Sequence, residues 1–154
     1  MAISGFTTCL WFDNEAQAAA DLYVSIFPDS KITGVDYYQD HPYKPAGSVL
    51  TVQFELFGKP FLALNGGPEF PHSEATSFQV FGDTQEEIDY MWNALIADGG
   101  QESQCGWCKD KFGVSWQVIP TNMSELLGNS DPSRTTPAWQ SMMQMTKIII
   151  ADLM

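Results

Sequence analysis

Cys105 and Cys108 form a C-x-x-C pair within QCGWCKDKFGVSWQVIP, residues 104–120, and His72-Ser73-Glu74 lies upstream of it. Two thiols at that spacing can exchange disulfides or, joined by a histidine, hold zinc. Each chemistry makes a demand on the backbone. A redox pair needs its first cysteine at a helix N-terminus, whose dipole lowers the thiol pKa. A zinc deaminase needs H-x-E and P-C-x-x-C each to open a helix, so that one imidazole and two thiolates converge on the ion. Here Gln104 takes the place of the proline, Lys109 to Gly113 read as a turn, and Val114 to Ile119 read as a β-branched and aromatic strand. His72 leads into another strand-like run, Phe78 to Phe81. The zinc deaminase therefore stands as a remote alternative, and the expectation is two small buried thiols flanking a tight turn.

Other chemistry-bearing residues have plain readings. Gly66-Gly67 lacks the strand, G-x-G-x-x-G and helix that cradle a nucleotide, so it reads as a turn. His41 and His72 lie in Pro-flanked loops. Met142, Met143 and Met145 read as a contact of the tail with the core or with a second subunit. Trp107 and Trp116 read as core or pocket-wall aromatics.

The elements that must position these residues repeat. The run Phe6 to Phe12 is strand-like, Asp13 and Asn14 are good N-caps, and Ala19, Leu22, Tyr23, Ile26 and Phe27 form one apolar stripe of a helix ended by Pro28. Thr76 to Phe81 repeat the strand, Thr84 and Glu87 make a capping box, and Ile88, Met91, Trp92, Leu95 and Ile96 repeat the stripe at an offset of 69 residues. Helices are expected at about 14–27 and 84–97. β-rich stretches follow the first helix at about 31–39, 48–57 and 60–65. Among them Val49, Thr51, Gln53 and Glu55 alternate with Leu50, Val52, Phe54 and Leu56, the mark of a half-buried strand. Gly58-Lys59 reads as the hairpin turn. Each half thus reads β-α-β-β-β, over 1–65 and 75–121, with a Met-rich and largely helical extension at 122–154. One half cannot bury both faces of its sheet, so the halves are expected to pair around a shared cleft, and function is sought there.

Composition narrows the classes of partner. The chain has 154 residues, 44% hydrophobic and 13% aromatic, enough for a filled core. Nineteen acidic against seven basic side chains give a formal net charge of −12. That field repels phosphate backbones and anionic lipid, which argues against nucleic acid and membrane surfaces as partners. No apolar run approaches the length of a membrane helix. The start, MAISGFTTCLWFDNE, has no basic n-region, and three cysteines are an odd number, so reduced thiols in the cytoplasm are expected.

CLWFDNEAQAAADLYVSIFPDSKI, GKPFLALNGGPEF, SFQVFGDTQEEIDYMWNAL, CGWCKDKFGVSWQVIP and MMQMTKI follow one another in that order, spread over nearly the whole chain. Together they resemble the PhnB-like proteins of the vicinal oxygen chelate (glyoxalase/bleomycin resistance/dioxygenase) superfamily, often described as 3-demethylubiquinone-9 3-methyltransferases. The resemblance implies an α+β fold of two paired βαβββ modules around a cleft, commonly in a homodimer. Metal-dependent members take His, Glu or Gln ligands from the first and last strands of each module. The matching positions here, within one residue of register, are Thr8, Leu62 or Ala63, Ser77 and Gln117. Only Gln117 among them is a plausible ligand, so no metal and no cofactor is expected. Thr8, Ser77, Gln79 and Gln117, framed by Leu10, Phe12 and Phe81, are instead the expected substrate-binding residues for a small, partly apolar molecule. The alternative is an enzyme, either the methyltransferase of the family description or a metal-dependent lyase or isomerase. S-adenosylmethionine lacks support in the residues, because no doubly wound β-α-β pattern is present. A homodimer is expected to use part of residues 137–150, whose Trp139, methionines and Ile148 to Ile150 are more apolar than a free tail should be.

Overall fold

A computed structural model describes residues 1–128 and 131–154, with the backbone alone at 132 and 134–136. The chain divides into two units, Met1–Pro71 and His72–Met154.

In the first unit the strands are β1 (Thr8–Phe12), β2 (Lys31–Tyr37), β3 (Val49–Leu56) and β4 (Lys59–Asn65), with helix α1 (Ala16–Ile26) between β1 and β2. They form one sheet in the order β1-β4-β3-β2, parallel between β1 and β4 and antiparallel elsewhere. Alternation decides which face meets the helix. Leu10, Phe12, Val52, Phe54, Leu56 and Ala63 are buried on one side, and Tyr23 of α1 packs its ring against Phe54. Cys9, Trp11, Thr51, Gln53, Leu62 and Leu64 take the opposite side. Leu10 and Phe12, expected in a cleft wall, are core residues of this unit.

Two local expectations are corrected. The hairpin joining β3 to β4 turns at Phe57-Gly58, not Gly58-Lys59: Leu56 pairs with Lys59, and both turn residues have positive φ, +53° and +75°. A two-residue turn needs that handedness to match the strand twist, and Phe57 tolerates it while its ring rests on Phe27 at 5.5 Å. Nor does Asp13 or Asn14 cap α1. The N-cap residue is Glu15, which makes no side-chain cap, and the Ala16 N–H donates to Asn65 Oδ1 at 2.9 Å. Asn65, buried at the end of β4, also donates to the Val49 carbonyl.

The second unit repeats the plan with β5 (Ser77–Gly82), α2 (Gln85–Ile96), β6 (Gln101–Glu102), β7 (Trp107–Lys109) and β8 (Ser115–Pro120), in the order β5-β8-β7-β6. Thr84 caps α2 in the expected reciprocal box with Glu87. Ile88, Met91, Trp92 and Leu95 face the sheet and bury Val80, Trp116 and Val118. The helices keep the offset of 69, but the strands do not. Leu10 answers to Val80 and Phe12 to Gly82, because both pairs hold the same places opposite the parallel neighbour. The strand offset is 70, since one residue fewer joins β5 to α2 than β1 to α1.

The C-terminal segment holds α3 (Met123–Leu126), α4 (Pro132–Met142) and a 3-10 turn at Ile150–Leu153. Leu126, Leu127, Ala138, Met142, Met145, Ile148 and Leu153 pack into one apolar cluster. Backbone bonds tie it down: Cys105 N–H donates to Met145 O and Gly106 N–H to Thr146 O. Gln85 of α2 grips the same segment twice, donating to Ile148 O at 3.0 Å and accepting from Ile150 N–H at 2.9 Å. Gly106 has φ +85°, and a Cβ there would meet Val118 O at 2.9 Å and Ile148 Cγ1 at 3.0 Å, so the close approach needs glycine.

Candidate functional site

On the second sheet, the face turned away from α2 carries Ser77, Gln79 and Phe81 from β5, Ser115 and Gln117 from β8, and Trp107 and Lys109 from β7. Register places them side by side: Ser77 lies opposite Ser115, Gln79 opposite Gln117, Trp107 opposite Gln117 and Lys109 opposite Ser115. Three of the expected binding residues are therefore together. Gln117 Nε2 donates to Ser77 Oγ at 2.8 Å, and Gln79 Nε2 donates to Gln117 Oε1 at 3.2 Å. This row offers amide and hydroxyl groups beside the exposed ring of Phe81. It presents no general base.

Two residues that sequence reasoning passed over adjoin this row. Lys109 Nζ pairs with Glu74 Oε1 at 2.5 Å, and the hydrogen bond from Lys109 holds the Glu74 carboxyl below its ordinary range. Ser115 is 1% exposed, and its Oγ is buried without a hydrogen-bond partner. Glu74, Gln101, Glu102, Trp107, Lys109 and Ser115 are among the residues that line a recess of about 110 Å³. The signal for Ser115 was legible: in VSWQVIP it alternates with Gln117.

Thr8, the fourth expected residue, lies in the other unit and on the α1 side of its sheet, in step with Leu10 and Phe12. The strand offset of 70 makes Cys9 the counterpart of Gln79 and Leu62 the counterpart of Gln117. On that face Gln53 Nε2 donates to Asp36 Oδ2 at 2.9 Å and Thr51 Oγ1 at 2.8 Å. Beside it, Thr7, Cys9, Gln53, Glu55, Pro60 and Leu62 line a largely apolar recess of about 300 Å³. Burial raises the Cys9 thiol above its ordinary value.

The C-x-x-C pair opens no helix. Cys105 and Gly106 form a turn with φ +58° and +85°, and Cys108 lies within β7. Burial, then the charges of Asp110 and Glu102, push the Cys108 thiol up to about 12, the opposite of a reactive thiol. His72-Ser73-Glu74 leads into β5, again a strand. Both halves of the deaminase pattern thus sit on the wrong secondary structure. Among the described residues, no group of three His, Cys, Asp or Glu side chains is placed to hold a metal ion.

The family model described as 3-demethylubiquinone-9 3-methyltransferase matches residues 4–119, a span that contains both sheets. The chain belongs to this family. Its PhnB-like character is seen in the solved structures it resembles. A PhnB protein of Bacillus cereus, provisionally described as a 3-demethylubiquinone-9 3-methyltransferase, is 29% identical with a TM-score of 0.69, over 77% of this chain and all (100%) of that one. A Pseudomonas aeruginosa protein is 20% identical with a TM-score of 0.61, over 77% of this chain and 98% of that one. The fosfomycin resistance protein FosX of Listeria monocytogenes, complexed with Mn(II) and sulfate, is 15% identical with a TM-score of 0.55, over 84% of this chain and 99% of that one. No curated protein is matched by the sequence. The PhnB-like chain is thus an α+β member of the vicinal oxygen chelate superfamily, built from two βαβββ modules. No helix among its described residues is long and apolar enough to cross a membrane.

The superfamily's divalent metal can be tested against the residues at the register-matched positions. The expected positions Thr8, Leu62 or Ala63, Ser77 and Gln117 supply two hydroxyls, an alkyl chain and one amide, and the neighbouring Cys9 and Gln79 add one thiol and one amide. Hard or borderline divalent ions want several imidazole or carboxylate donors. The set does not fit such an ion.

Proposed function

We propose that this PhnB-like chain is a binding protein for a small, partly apolar molecule, held without a divalent metal on the sheet faces that its helices leave open. A cytoplasmic setting belongs to the same proposal. The observation that carries it is the Ser77–Gln117–Gln79 row: three linked hydroxyl and amide groups beside Phe81, with nothing among them to generate a nucleophile or take a proton near neutral pH. Such a row can orient a ligand by hydrogen bonds while an aromatic ring takes its apolar part.

Native mass spectrometry of protein purified from its own host tests this reading, together with thermal unfolding in added Mn²⁺ or Zn²⁺. A retained organic molecule is expected, with no gain in Tm from metal; a site filled at 100 times Kd would stabilise the fold by about 2.7 kcal/mol. One ion per subunit that disappears on Gln117→Ala would overturn it.

The family description supports a second reading, methyl transfer. It requires a methyl donor, so saturable binding of S-adenosylmethionine in calorimetry would favour it over simple binding.

A further inference from the structure

We infer that the recess over Ser115 is a subsite for the carboxylate of a small organic acid whose apolar body lies against Trp107. The inference rests on the ligand-binding reading above and names the chemistry of the ligand's polar end. Ser115 and Lys109 both line the recess, as does Glu102, whose carboxylate is engaged by Trp92 Nε1 at 3.1 Å. Ser115 Oγ is buried without a partner, and a hydroxyl left in that state is satisfied by any acceptor that reaches it. Lys109, its neighbour across β7 and β8, brings an ammonium group to the same recess.

The chain itself shows that a carboxylate suits the mouth of the recess, since Glu74 already sits on Lys109. Glu74 is exposed, with side-chain accessibility of 61% against 32% for Lys109, and it lies on the turn that enters β5 rather than within the sheet. An exposed ion pair of this kind is weak. A ligand carboxylate can therefore replace Glu74 on Lys109, charge for charge, while Glu74 turns to water. The exchange also gives Ser115 an acceptor it lacks. Half-buried Trp107 lines the same recess, so an acid group beside Lys109 and Ser115 leaves the ligand's apolar body against that ring.

The test uses the full chain and two matched probes, phenylacetate and phenylacetamide, followed by the indole N–H resonance of Trp107. Phenylacetate is expected to shift that resonance saturably and to bind about tenfold more tightly than the amide. Lys109→Gln should abolish the preference. Glu74→Gln, at an exposed position, should tighten phenylacetate by up to about fivefold, because the internal competitor is gone. Equal affinity for the two probes would overturn the carboxylate subsite while leaving the binding reading intact. Binding of neither probe in wild type or Glu74→Gln, with a different molecule retained on Gln79 and Gln117, would also overturn the subsite alone. Binding of nothing, with no retained molecule, would overturn both.

Discussion

Asp110 is 2% exposed, and its carboxylate accepts from Phe112 N–H at 2.8 Å, Val114 N–H at 3.1 Å and Trp116 Nε1 at 2.8 Å. A buried carboxyl needs donors of this kind to satisfy both of its oxygens. Asp110→Ala should therefore cost about 3 kcal/mol in urea unfolding, because two buried donors and one part-buried donor lose this acceptor. Asp110→Asn should recover only part of that, since its NH₂ would face the Trp116 donor; a cost below about 1 kcal/mol for both would refute the account. Cys108 gives a second residue-scale test. Its native thiol is pushed up to about 12 from an ordinary 9.0, chiefly by burial. The native state then keeps a proton that the unfolded chain releases, so this contribution is present below about pH 9 and is lost as pH rises from about 9 to about 12. Cys108→Ala should flatten the stability profile across that window, and in the native protein Cys108 should resist iodoacetamide while Cys105 reacts.

The two helices start by different means, and the difference is measurable. Thr84→Ala removes a cap that belongs to the helix itself and should cost about 1 kcal/mol. Asn65→Ala removes the acceptor for Ala16 N–H and a buried donor to Val49, and should cost about 2–3 kcal/mol. Equal losses in chemical denaturation would deny Asn65 its double role. The contrast also explains what could be read from residues alone. Thr84-x-x-Glu87 is a local signal and was legible, as were both apolar stripes and the alternation in β3, since each depends on neighbours a few positions away. The α1 cap comes from the end of β4, 49 residues distant, where no local rule reaches. The change of offset from 69 to 70 escaped for a related reason. Stripes align helices, but the face a strand residue takes is fixed by pairing, and a one-residue slip exchanges the faces. Thr8 falls on the α1 face of its sheet, whereas Ser77, Gln79 and Gln117 share one register and lie in one row.

For the molecule as a whole, the expected homodimer is a proposal with a narrower interface than the residues suggested. Met142, Met145 and Ile148 are buried within their own chain, whereas Trp139 and Met143 are 41% and 56% exposed. Sedimentation equilibrium is expected to show a dimer weakened by Trp139→Ala with Met143→Ala, and a wild-type monomer at micromolar concentration would exclude it. Ending the chain at Gly128 should do more than loosen assembly, because Cys105 and Gly106 lose the carbonyls of Met145 and Thr146 and Gln85 loses both backbone partners. That fastening has a consequence in the order of synthesis. Domains fold from the N-terminal side as the ribosome extends the chain, and the pairing of the first sheet and the Asn65 cap of α1 lie within residues 8–65. The second module is anchored by residues 145–150, which are still inside the exit tunnel when β8 has emerged. Gln85 can close on Ile148 and Ile150 only once they have left the ribosome. Nascent chains stalled with residues 145–150 still in the tunnel should therefore be cut by protease in the second module and spared in the first.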